Sequence, residues 1–363
     1  MNRALSARRH RGLLLLLVAL PYLGVAELPR DSSFRQGMAL EQQGKLAEAE
    51  VALERARQDE PANLAVLTEL GKVESGIGKL PQAIALFITC THLAPRSPEA
   101  QINLAIALAD GGRLPEALQH ASAAVSLGPG SAVAHLNRAR ILDDLHRGQE
   151  AEPEFRRAAQ LDPGNADTYF YWAILKRESG DLRQETLLLE KLVKLQPGNA
   201  KALFLLGQSL REQARTEEAI AALRRSLAID PDDADAVYML SRLLRTSAPE
   251  EASQYFVRYQ ALKAKETDAE KAKRLGNQAT EAAAQQRWSE AVALLRQALE
   301  ICTDCPAAAG LHKNLGLALA HSGDVPGGIA ELKSSLALNG DDPDVVRALQ
   351  ILSPGALSQP ANR

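Results

Sequence analysis

Catalytic motifs are missing from this chain of 363 residues. It has no HExxH pair for a metal, no GxSxG elbow for a nucleophile, and no glycine-rich loop following a strand to cradle phosphate. The histidines beyond the first 26 residues, at 92, 120, 135, 146, 312 and 321, do not cluster with metal-ligand spacing along the sequence. Acid pairs such as Asp143-Asp144, Asp232-Asp233 and Asp341-Asp342 stand near expected helix ends, where carboxylates cap and solvate. The expectation is a non-enzyme without cofactor or metal.

Other shortages narrow the class. Aromatic residues make up only 4% of the chain and alanine and leucine dominate, a composition that favours closely packed helices. Lys and Arg number 42 against 45 Asp and Glu, so the basic stripe that phosphate contacts require is absent and nucleic-acid binding is not expected. With 46% hydrophobic and 24% charged residues, the chain reads as folded and, beyond its leader, without a membrane span. No Asn-x-Ser/Thr sequon occurs, which fits a bacterial envelope at least as well as a eukaryotic secretory route.

What is present is a period. Pro61, Pro95, Pro129, Pro163, Pro197 and Pro231 stand 34 residues apart, each followed two residues later by a helix-capping type: Asn63, Ser97, Ser131, Asn165, Asn199 and Asp233. Counted in blocks of 34 from residue 30, small residues recur at the eighth place (Gly37, Gly71, Ala105, Ala139, Ala173, Gly207). The twentieth place carries Ala49, Ala83, Ala117, Ala151 and Ala219, with Glu185 as the exception, and the twenty-fourth carries bulky Leu53, Phe87, Phe155, Leu189 and Leu223. Gly44, Gly78, Gly112 and Gly180 mark a turn between two helices, and Pro81 and Pro115 stand at the start of the second. Such self-similarity predicts helix pairs that bury their apolar faces only against neighbouring pairs.

Segments such as Gly44-Lys45-Leu46-Ala47-Glu48-Ala49, Gly78-Lys79-Leu80-Pro81-Gln82-Ala83 and Gly112-Arg113-Leu114-Pro115-Glu116-Ala117 resemble the turn into the second helix of the tetratricopeptide repeat family. The resemblance implies an all-α, right-handed superhelical solenoid of about nine helix hairpins. Repeats one to seven would cover 30–262 and repeats eight and nine, with a capping helix, 272–351. A charged helical extension or linker over 263–274 would join them, and 352–363 would form a flexible tail. The seventh repeat has lost one residue near Ser247-Ala248-Pro249. In the fourth, His146 replaces the turn glycine and Pro153 falls inside the second helix, which predicts a delayed helix start or a local kink there.

The N-terminal segment stands apart. Arg3, Arg8, Arg9 and Arg11 precede an uncharged run from Gly12 that ends in Gly24-Val25-Ala26. It reads as a secretory signal peptide over 1–26, implying a periplasmic or secreted protein. An uncleaved anchor is the alternative, for which the run is short and holds Pro21.

The family resemblance also implies where a partner would sit, because the first helix of each repeat lines the concave surface. Carried onto this chain, the inward positions include Leu136, Arg140, Phe170, Ile174, Arg177, Phe204, Gln208, Arg211, Tyr238, Arg242 and Arg245. In three successive repeats an aromatic residue precedes an arginine by seven residues, nearly two helical turns, so both point one way. Such a ladder suits a protein or peptide segment combining apolar side chains with carboxylates. Alternatively, the aromatics pack between helices and the arginines only solvate the wall. The expected function is an interaction scaffold of the bacterial envelope; the alternative is an accessory component of a polysaccharide or secretion machine binding an anionic glycan. Cys302 and Cys305 form a CxxC expected to close a local disulfide, with a redox pair or zinc site as less favoured readings, and Cys90 is expected to be a buried thiol.

Overall fold

The computed structural model describes residues 32–302, 305–340 and 342–353. The proposed leader lies outside these residues, as does the tail from 354 on. The described chain is helical throughout, in the order α1 Ser32–Gln42, α2 Leu46–Asp59, α3 Leu64–Gly76, α4 Leu80–Leu93, α5 Pro98–Asp110, α6 Leu114–Leu127, α7 Ala132–Asp144, α8 Gly148–Leu161, α9 Ala166–Glu178, α10 Leu182–Leu195, α11 Ala200–Glu212 and α12 Thr216–Ile229. It continues with α13 Ala234–Leu243, α14 Pro249–Ala284, α15 Trp288–Ile301, α16 Ala308–His321, α17 Val325–Leu338 and α18 Pro343–Leu352. The chain divides into two compact units, one ending at Ala219 and the other beginning at Ile220.

In the first unit each odd-numbered helix from α1 to α9 folds back on the next, as α1 on α2 and α9 on α10, and each of these pairs packs on the first helix of the following one. The capping expectation is met residue by residue. Asn63, Ser97, Ser131, Asn165 and Asn199 each accept from a backbone amide in the first turn of α3, α5, α7, α9 and α11. The turns within the hairpins close with a left-handed residue, at Gly44, Gly78, Gly112 and Gly180. In each, the next amide reaches back to the first helix, as from Lys45 to the Leu40 carbonyl at 3.0 Å.

The delayed start expected in the fourth hairpin does not occur. His146 itself takes the left-handed conformation with φ 58°, its following amide at Arg147 bonds the Leu142 carbonyl at 2.8 Å, and α8 begins on schedule at Gly148 with Pro153 inside it. Ala214 makes the same turn with φ 59°.

Small residues of the first helix admit bulky ones of the second. A Cβ on Gly37 would stand 2.6 Å from Leu53 Cγ, and one on Gly71 2.8 Å from the Phe87 ring, so these helix pairs approach too closely for any side chain there. Leu53, Phe155 and Leu189 are wholly buried, and so are Ala49, Ala83, Ala117 and Ala151. Glu185, at the alanine position, is 1% exposed.

The second unit has a different rhythm. Asp233 caps α13, and Tyr238 and Arg242 lie on that helix. The charged segment 263–274 lies inside the single 36-residue helix α14, whose first part packs on α13 and whose last part packs on α15. Ala272, Ala279, Ala282, Ala291, Leu295, Leu311 and Leu315 form one core there, and α17 and α18 close the unit over Leu332, Val345 and Leu349.

Candidate functional site

The first-helix residues singled out by the repeat pattern divide by burial. Leu136 is fully buried in the hairpin core of α7 and α8, with Ala139, Leu142 and Phe155, and is removed from the candidate surface. An aliphatic side chain gains roughly 2 kcal/mol from such burial, and Leu136 takes it. Phe170, Ile174 and Phe204 are half-buried, leaving part of each accessible.

In the first unit, Phe170 and its neighbour Tyr171 each meet a cation. The Lys201 ammonium of α11 lies 5.3 Å from the Phe170 ring centroid of α9, and the Phe170 ring meets Tyr171 edge-on at 5.3 Å. The Arg140 guanidinium of α7 stands 4.2 Å over the Tyr171 ring. Sequence spacing marked Phe170 and Arg140 but missed Tyr171 and Lys201, because cation–ring pairs between helices carry no fixed separation along the chain.

Arg177 is committed within the protein. Its Nε donates to Glu185 Oε1 at 2.5 Å and its Nη1 to Gln208 Oε1 at 3.0 Å, tying α9 to α10 and α11. Two residues named from the pattern, Arg177 and Gln208, are therefore partners of each other. Ser209 donates to Glu185 Oε2 at 3.0 Å, the Ser209 and Thr186 hydroxyls are 2.9 Å apart, and Gln213 Nε2 donates to Thr186 at 2.6 Å. Burial pushes the Glu185 carboxyl above its ordinary range, against the opposing pull of Arg177 and Ser209. Arg211 is exposed, and its Nη2 stands 3.5 Å from Glu212.

In the second unit, Tyr238 is 37% exposed, its ring centroid 4.8 Å from that of Tyr259. Arg242 Nη1 donates to the Tyr238 hydroxyl at 3.1 Å, and Arg245 is exposed. The arginine that meets Tyr238 is thus Arg242, one turn on, and not Arg245, the residue that the seven-residue spacing set beside it.

Among the described residues, no group of three or more His, Cys, Asp or Glu could hold a metal ion, and no helix is long and apolar enough to cross a membrane. Cys302 and Cys305 are joined as a disulfide with Cα atoms 5.3 Å apart. Cys90 is buried, near the Thr68 hydroxyl at 3.7 Å, and its burial raises the thiol pKa, as suits an unreactive core residue.

No curated protein matches this chain. Among solved structures, it is similar to pilF of Pseudomonas aeruginosa, with 16% identity, TM-score 0.48 and coverage of 65% of this chain and 97% of that one. It is also similar to TTC0263, a thermophilic tetratricopeptide repeat protein of Thermus thermophilus, at 21% identity and TM-score 0.45 over 49% of this chain and 97% of the other. A third is MamA from Desulfovibrio magneticus RS-1, at 18% identity and TM-score 0.43, covering 46% and 94%. The tetratricopeptide repeat family model matches residues 34–87, 68–132, 172–234 and 277–343, more than half of the sequence. With that match laid over hairpins whose caps, turns and small-residue positions recur in register, the chain belongs to the tetratricopeptide repeat family.

Proposed function

We propose that this protein is a non-enzymatic interaction scaffold of a bacterial cell envelope, which holds one segment of a protein partner against the first-helix face of α9 and α11. The observation carrying the reading is the half-buried pair Phe170 and Phe204, equivalent residues of successive first helices, with Lys201 over one ring and the exposed Arg211 two turns beyond the other. Rings that are already ordered and partly desolvated bind apolar side chains at low entropic cost, and the adjoining cations select a segment that also carries carboxylates. Arg177 contributes by holding α9 to α11 through Gln208 rather than by meeting the partner. Tyr238 and Arg242 of α13, with Arg245 in the turn just beyond it, offer a similar combination of ring and cation in the second unit. Export is supported by the charged and apolar leader and by the Cys302–Cys305 disulfide, which persists in an oxidising compartment.

The test is capture of partners from an envelope lysate by the chain and by its Phe204→Ala, Arg211→Ala double variant, with circular dichroism and melting measured in parallel. Reduced capture at unchanged helicity and melting supports the reading. Loss of folding shows that the pair serves packing. Capture that survives protease treatment of the lysate points instead to an anionic glycan.

A further inference from the structure

Five joints between hairpins of the first unit are built alike. The C-cap residues Glu60, Ala94, Gly128, Asp162 and Gln196 have φ between −129° and −135°, and each carbonyl accepts from the amide three residues on at 2.9–3.3 Å. That third residue is the N-cap whose side chain holds the first turn of the next helix, and a proline directly follows each C-cap. Cys302 closes α15 with the same backbone, φ −129° and ψ 70°, and Cys305 again stands three residues on. From there the joint differs. Thr303 takes the place of the proline, α16 starts only at Ala308, and its N-cap Ala307 makes no side-chain bond to the first turn.

We propose that the Cys302–Cys305 bridge stands in for cap and proline at this joint and is a redox-controlled lock, opened by a dithiol oxidoreductase through exchange at Cys305. The bridge joins the two positions that a backbone bond joins elsewhere, with Cα atoms 5.3 Å apart. The Cys305 carbonyl also accepts from the Ala308 amide at 2.9 Å, so the bridge holds the first turn of α16 directly. Its sequence separation is only 3, and so short a loop restricts the unfolded chain little. Its effect therefore falls on the native joint. Cys302 is 3% exposed in one core with Leu295, Ala298 and Leu311, whereas Cys305 is half-buried beside the exposed Pro306. A thiolate arriving from solvent thus meets the Cys305 sulfur. Its attack forms a mixed disulfide with Cys305 and breaks the bridge, and Cys302 leaves as a thiolate that takes up a proton. The second thiol of the oxidoreductase then displaces Cys305, so that the oxidoreductase departs as a disulfide and this chain keeps two thiols. With the lock open, the turn from Ala308 to Leu311 has neither cap nor tether. No residue of the α9 and α11 face takes part, so this proposal stands or falls independently of partner binding there.

Hydrogen exchange of the full chain, read by mass spectrometry with and without dithiothreitol, tests this. Reduction is expected to speed exchange about tenfold or more across the first turn of α16 and the last turn of α15, and to leave α9 and α11 unchanged. A Cys302→Ala, Cys305→Ser double variant should exchange at the fast rate from the outset and ignore the reductant. A thioredoxin-type reductase with serine in place of its second cysteine should be trapped on Cys305 of the folded chain as a mixed disulfide. Equal exchange with the bridge open and closed would show that it holds nothing at the joint. A bridge that yields only after the chain unfolds in urea, or an adduct on Cys302, would overturn exchange through Cys305.

Discussion

Glu185 Oε1 lies 2.5 Å from Arg177 Nε, at a repeat position filled by alanine in Ala49, Ala83, Ala117 and Ala151. The pair therefore replaces a close helix contact with a charged one that reaches Gln208 and Ser209 of the next first helix. Removing one partner leaves the other poorly solvated, whereas removing both need not. Glu185→Ala is expected to lower stability by about 1–3 kcal/mol in urea unfolding, and the added change Arg177→Leu to recover most of it. Equal loss in the single and double variants would show that the network contributes nothing as a unit.

Glu74 is buried at 8% exposure, and desolvation together with Glu50 and Glu54 raises its pKa from 4.5 to about 6. A raised carboxyl pKa means that the folded state holds its proton more tightly than the unfolded one. Its stabilising contribution is thus complete below pH 4.5 and is lost as pH rises to about 6. Glu74→Gln, which resembles the protonated acid, should match the parent at pH 4 and exceed it at pH 7 by at most about 2 kcal/mol. Melting across this range checks the sign; a variant less stable at pH 7 would reverse it.

His146 and Ala214 hold left-handed turns that glycine makes at Gly44, Gly78, Gly112 and Gly180. Side chains are strained there, so His146→Gly and Ala214→Gly should each raise the unfolding midpoint, by about 0.5–1 kcal/mol in stability. A lowered midpoint would mean that the side chains make compensating contacts.

Gly71→Ala is expected to destabilise by about 1–3 kcal/mol, since its methyl would stand 2.8 Å from the Phe87 ring, while Gly130→Ala, with open space around it, should change little. Thermal melting of the two variants separates close packing from any general effect of losing glycine.

The hairpin scaffold was legible because its signals are local and repeated. A capping side chain acts two or three residues away, so Asn63, Ser97 and Asn199 announce their helices without knowledge of anything distant. The site was legible only as a set of positions. Whether Arg177 meets solvent or Glu185, and whether Leu136 faces a surface or Phe155, depends on helices brought together by folding. Tyr171 and Lys201 escaped notice for the same reason. His146 misled because the replaced glycine suggested a broken turn, whereas the six-residue closure tolerates a strained side chain.

The central claim, that the first-helix face of α9 and α11 receives the partner, is tested most directly by site-specific photocrosslinking in the native host. A benzophenone amino acid placed at Phe204 should yield a discrete crosslinked species, while the same probe at Val51, 53% exposed on the second helix α2, should not. Crosslinking from Val51 with none from Phe204 would contradict the account.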